Sequence, residues 1–175
     1  MKREKNMADY KYFKNVEKNA YFTEVPCQFC GSKHLCLDGV FFEKENITSI
    51  CLDCFNKKRV KVSVPDYIQA RVIDNRDEKV NELQCNPPVP WIQSNDWPVC
   101  CDDYMVYIGE WEQDDFTSYS KNESGKDVLK KLISPELLNK VDSFDALWDD
   151  LGYGTATFAF QCKHCGKIVI VCQDY

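Results

Sequence analysis

Cys27-Gln28-Phe29-Cys30 and Cys51-Leu52-Asp53-Cys54 are two Cys-x-x-Cys pairs separated by twenty residues. A two-residue gap lets one tight turn aim both sulfurs at a single ion, and two such turns supply the tetrahedral thiolate shell that zinc prefers. The separation lies at the upper end of the range for zinc sites. Cys30 is followed by Gly31, which suits a bend that turns backbone N–H groups toward a thiolate. Four sulfurs leave zinc no open position, so Cys27, Cys30, Cys51 and Cys54 are expected to fix structure and to activate no water.

A third pair, Cys162-Lys163-His164-Cys165, is also followed by glycine, Gly166. It needs two more ligands, and the candidates are Cys100, Cys101, Asp102, Asp103 and His164. Neighbouring side chains on an extended strand point to opposite faces. Cys100 and Cys101 can therefore share one ion only if the chain turns between them, whereas Cys101 and Asp103 would lie on one side of a strand. The expected second set is Cys101, Asp103, Cys162 and Cys165. The competing explanation is a pair of small buried cysteines beneath a hairpin.

The chain has eleven cysteines, and three Cys-x-x-Cys pairs where chance placement gives about one. Disulfides would suit a secreted chain, but the start Met1-Lys2-Arg3-Glu4-Lys5-Asn6 leads into no apolar segment of a secretory signal. The longest apolar run, Ile168-Val169-Ile170-Val171-Cys172, is far short of a membrane span. A cytoplasmic protein without membrane insertion is expected. The net charge of −6, which one zinc on four thiolates takes to about −8, opposes nucleic-acid binding. The compact basic run is Lys57-Lys58-Arg59 with Lys61. Only two histidines, His34 and His164, are present. No His-Glu-x-x-His, Gly-x-Ser-x-Gly or phosphate loop appears, and the carboxylate pairs Asp114-Asp115 and Asp149-Asp150 read as surface charge.

The elements that must position these residues read as follows. Tyr10 to Phe22 is aromatic-rich and mixed in charge, an extended arm laid over the core. Leu35–Phe42 and Ile47–Ile50 form a hairpin around Glu43-Lys44-Glu45-Asn46, carrying the chain from one cysteine pair to the next. Pro65–Val80 carries a weak helical pattern. Cys85-Asn86-Pro87-Pro88-Val89-Pro90 can continue neither a helix nor a central strand and reads as a connector. Tyr104–Ile108 is β-rich. Ser124, Ser134 and Ser143 are N-cap candidates for helices between residues 124 and 151, with Pro135 at a first helical position. Thr155–Gln161 and Lys167–Cys172 form a hairpin with the third cysteine pair at its tip.

Several blocks together resemble the CbrC family of bacterial proteins, associated with colicin tolerance. They are Tyr10-Lys11-Tyr12-Phe13, Pro26-Cys27-Gln28-Phe29-Cys30-Gly31, Asp38-Gly39-Val40-Phe41-Phe42 and Cys51-Leu52-Asp53-Cys54. Trp91-Ile92-Gln93, Trp97, Cys101-Asp102-Asp103, Tyr107-Ile108-Gly109 and Phe160-Gln161-Cys162-Lys163-His164-Cys165-Gly166 follow in order. The resemblance covers nearly the full length and supports the same eight positions as ligands. In two places the chain departs from the family. Relatives commonly have His-Cys where this chain has Cys100-Cys101, and a further cysteine where it has Met105. The resemblance implies a role in bacteriocin tolerance, as an immunity-like protein that engages a toxin.

The expected fold is α+β, with antiparallel hairpins bearing zinc-ribbon-like Cys-x-x-Cys turns, packed with two or three helices. Residues 1–84 would form the arm and first zinc lobe, and 85–175 an α+β lobe with the second site, joined in one compact unit. One zinc is expected at the first site, and the second set could hold another. Stoichiometric binding of a protein partner is the favoured activity. A zinc-dependent hydrolase-like enzyme would rest on Asp103 as an open-site ligand, and a nucleic-acid or transcription adaptor on the Lys57–Lys61 run.

Overall fold

The computed structural model describes residues 9–39 and 41–175; the opening Met1–Asn6 and Val40, within the first expected strand, lie outside them. The fold is α+β, with three small antiparallel sheets and short helices. The first sheet joins β1 (Phe22–Thr23), β2 (Cys36–Asp38) and β3 (Ser49–Cys51). Cys36 pairs with Cys51 across β2 and β3, so the expected hairpin does deliver the chain to the second cysteine pair. Helix α2 (Leu52–Asn56) follows at once, with Cys51 as its N-cap residue.

The expected helix over 65–80 is two pieces, α3 (Asp66–Gln69) and α4 (Arg76–Gln84), separated where Asn75 takes φ 51°. A two-residue hairpin, β4 (Val99–Cys100) and β5 (Asp103–Tyr104), leads to the largest sheet, of β6 (Val106–Glu110), β7 (Thr155–Gln161) and β8 (Ile168–Asp174). Between β6 and β7 run α5 (Gln113–Tyr119), α6 (Gly125–Leu132), α7 (Pro135–Leu138) and α8 (Phe144–Asp149). Ser124, Ser134 and Ser143 each accept a hydrogen bond from the backbone N–H three residues on, as read from the sequence. Helix α5 opens on a capping box between Glu112 and Asp115, which makes Asp115 a structural residue.

The middle of the aromatic arm is core, while Tyr21 near its end is exposed. Tyr12 and Phe13 are 0 % and 2 % exposed, and Phe13 pairs with Tyr107 along the free edge of β6. A short helix, α1 (Val16–Asn19), continues it. The exposed Lys11, Lys14 and Lys18 interleaved with these aromatics disguise the burial in the sequence. One apolar cluster runs from Tyr12 through Cys54, Val89 and Trp97 to Cys162, on both sides of the proline-rich connector. Asn86, Pro87, Pro88 and Val89 are themselves buried within it. Phe160 is its hub, ringed by Trp91, Trp97 and Tyr107 at 5.4–5.7 Å between ring centroids. Phe116, Val128, Leu129 and Ile170 belong to a smaller cluster. No helix among the described residues is long and apolar enough to cross a membrane.

Candidate metal centres

Two four-cysteine groups come together, Cys27/Cys30/Cys51/Cys54 and Cys100/Cys101/Cys162/Cys165, each with its sulfurs within 4.8 Å of one another. Sulfur–sulfur separations are 3.6 Å for Cys30–Cys51 and for Cys100–Cys165, and 3.8 Å for Cys100–Cys101. These are too long for disulfides, and all eleven cysteines are free. Four thiolates bound at about 2.3 Å to one tetrahedral ion stand about 3.8 Å apart, so the spacing in both groups is compatible with one such ion.

The two groups share one building block. Gly31 N–H donates to the Cys27 carbonyl at 2.8 Å, and Cys27 N–H donates to the Ser32 carbonyl at 2.8 Å. At the tip of the last hairpin, Gly166 N–H donates to Cys162 at 2.9 Å and Cys162 N–H to Lys167 at 2.8 Å. Gly31 and Gly166 have φ +73° and +74°, a left-handed conformation that L side chains rarely adopt. Burial works against the thiolate of Cys27, but N–H groups of Cys51, Phe29 and Cys30 outweigh it and lower the thiol to about 6. Cys162 is lowered to about 6 likewise, with the N–H groups of Cys165 and His164 opposing burial. Burial and the surrounding thiols push Cys54 and Cys100 up to about 12. Four thiols so close cannot all ionise unless a cation shares their charge.

Gln28, between the first two ligands, holds that knuckle to the sheet. Its side-chain oxygen accepts from Thr48 and Ser49 N–H at 2.6 and 3.1 Å, and its amide donates to Asn46 O at 2.9 Å. Arg59 lies 5.9 Å from the Phe29 ring, so part of the basic run packs over the same knuckle.

In the second group, Cys100 and Cys101 both contribute because the chain turns between them. Cys101 and Asp102 have φ 55° and 52°, a two-residue turn in which both central residues are left-handed. Asp tolerates this conformation; Cys does so at a cost, and such strain persists only where neighbours impose it. The Asp102 carboxylate supplies that hold, accepting from Ile73 N, Asp74 N and Lys79 Nζ at 2.7, 2.9 and 2.9 Å. Lys79 also donates to the Asp102 carbonyl.

Asp103, expected among the ligands, stands outside the sulfur group, and Cys100 stands within it. The buried Asp103 carboxylate accepts from Tyr12 Oη at 2.7 Å and pairs with Lys163 Nζ at 2.6 Å, with His164 Nε2 at 3.3 Å. Burial opposes its charge, but Lys163, Tyr12 and His164 prevail and hold the carboxyl at about 2. Its i, i+2 relation to Cys101 assumes a straight strand, which the turn removes. Met105 is fully buried in the core. Cys36, Cys85 and Cys172 belong to neither group; burial first, then Asp174, pushes Cys172 up to about 12.

The uncharacterised protein family UPF0167 has a sequence model that matches residues 7–174. The chain belongs to this family. It is the CbrC-type family that the ordered cysteine and tryptophan blocks resemble. No curated protein and no solved structure matches the chain. For this UPF0167 member, the arrangement offers two closed four-sulfur shells. Tetrahedral sulfur donors suit zinc, which would supply structural cross-linking of segments distant in sequence.

Proposed function

We propose that this UPF0167 protein is a zinc-stabilised cytoplasmic binding protein that acts stoichiometrically on a protein partner, in the manner of an immunity or toxin-tolerance factor. The observation that supports it is closure: each group has four sulfurs, which leaves a tetrahedral ion no position for substrate or water. The reading of the second site as catalytic needed Asp103 as an open ligand, and that carboxylate is engaged by Tyr12 and Lys163. Open grooves of about 650 and 690 Å³ flank α7 and β8, and Cys172 lines both, its thiol pushed up by burial and away from the thiolate form a nucleophile needs. The acidic chain suits a basic toxin nuclease, because complementary charge speeds encounter and sets specificity.

The test uses zinc-loaded protein as bait in extract of its native host, with the bound fraction weighed against bait. A partner held at a fixed molar ratio and released by added salt supports the reading. Charge reversal belongs at exposed Asp114, since Asp115 caps α5. Retention of no partner, together with protection of cells or substrate conversion by far less than one protein per target, overturns it.

A further inference from the structure

Tyr107 carries a hydroxyl that is fully buried and has no hydrogen-bond partner among the described residues. An unpartnered buried hydroxyl is costly to the fold, so it is a group that a polar partner would stabilise. Burial first, then the charges of Glu110, Tyr21 and Tyr175, raise its pKa. Tyr21 and Tyr175 are 53 % and 59 % exposed, and both donate to Glu110, at 3.0 Å to Oε2 and 2.9 Å to Oε1. Two exposed tyrosines thus flank one carboxylate.

The backbone builds this grouping. Residues three apart on a regular strand face opposite ways, but β6 carries a bulge between Tyr107 and Gly109. Tyr107 pairs with Phe160 and Glu110 with Phe158, two residues apart on β7 and therefore on one face. Gly109 makes the bulge at φ +136°, and Asn19 clamps it by donating to Ile108 O at 3.1 Å. Asn19 sits two residues before Tyr21, so the arm that fixes the bulge also delivers the outer tyrosine. Glu112 adds a second negative field at Tyr21 and Tyr175, and among the described residues no ion pair reaches Glu110.

We infer that Tyr21, Tyr107, Glu110 and Tyr175 form a recognition notch for an arginine side chain on a basic segment of the partner protein. The tyrosine faces take the planar cation, Glu110 accepts its N–H groups, and parting of the two outer rings gives it the Tyr107 hydroxyl oxygen. This inference rests on the proposed stoichiometric protein binding and names the chemistry of the partner's anchor.

The test titrates zinc-loaded protein with the capped peptide (Gly-Arg)4, following tyrosine fluorescence and NMR shifts, with (Gly-Gln)4 as the uncharged control. The expected result is binding of the arginine peptide alone, weakened about tenfold or more in Glu110→Gln. Tyr107→Phe is expected to raise the melting temperature while weakening the peptide about threefold or more, because the orphan is removed along with a ligand contact. Asp77→Asn on α4 should leave affinity unchanged. No binding by wild type, equal losses in Asp77→Asn and Glu110→Gln, or unchanged affinity in Tyr107→Phe overturns the notch. If Glu110→Gln still retains the cellular partner at full stoichiometry, the notch fails and stoichiometric binding stands.

Discussion

Lys163 Nζ lies 2.6 Å from Asp103 Oδ2, an ion pair between the tip of the last hairpin and the β4–β5 turn that together carry the second sulfur group. Lys163 also sits 4.7 Å from the Tyr12 ring, whose hydroxyl donates to the same carboxylate. Asp103 therefore aligns the two cysteine-bearing segments without using a ligand position.

Asp103→Asn should keep all four sulfurs yet weaken metal retention at that site about 10–100-fold, as loss of an orienting partner does. Competition with a chromophoric chelator would measure it. The sign of the pH effect follows from the carboxyl held at about 2, below the ordinary Asp value near 4. Its contribution is fully present above about pH 4 and is lost as pH falls toward 2. The melting difference between wild type and Asp103→Asn should shrink across that window. A constant difference would count against the ion pair.

Freshly purified, reduced protein should carry two zinc ions per chain by elemental analysis. Cys51→Ser and Cys100→Ser should each lower that to one, from different sites. Cys51→Ser should also unfold the β1–β3 region, since metal binding and folding are linked in so small a sheet. Full zinc content in Cys100→Ser, with loss of one ion in Asp103→Asn, would return Asp103 to the ligand set.

Gly31→Ala and Gly166→Ala isolate backbone strain from packing, because an added Cβ at either position meets nothing within 4 Å. Each should cost about 1 kcal/mol through its left-handed φ alone, and asparagine should cost less than alanine. Thermal unfolding of the metal-loaded protein checks this. A cost well above that value at either glycine would mean the knuckle deforms.

Much of this architecture was readable in advance, for reasons that differ by element. Ser124, Ser134 and Ser143 announce their helices because a cap is a local hydrogen bond. The first sulfur group was legible because a Cys-x-x-Cys turn aims its own ligands. The second was not, because its membership depends on the left-handed pair Cys101-Asp102, where an Asn-Gly signature would normally mark the turn. What holds that turn, Lys79 and the N–H groups of Ile73 and Asp74, lies over twenty residues away. Helix α5 left only the faint sign Glu112-x-x-Asp115, which reads equally as surface charge. The Tyr107–Glu110 alignment needs a bulge, and a bulge appears only once a partner strand is present.

Gly109 is the position at which that bulge can be broken. At φ +136° only glycine is comfortable, and an added Cβ would meet Asn19 Oδ1 at 2.9 Å. Gly109→Ala should destabilise the protein by about 2 kcal/mol or more, beyond the two knuckle glycines. Asn19→Ala alone should also cost stability, because Lys14 O and Ile108 O lose their donor. The double variant relieves the contact but keeps the strained φ, so its cost should fall below the sum of the singles. Denaturant titration of the three variants gives the coupling directly. Strict additivity would mean that Asn19 does not clamp the bulge, and that Glu110 reaches the face of Tyr107 by the backbone path of β6 alone.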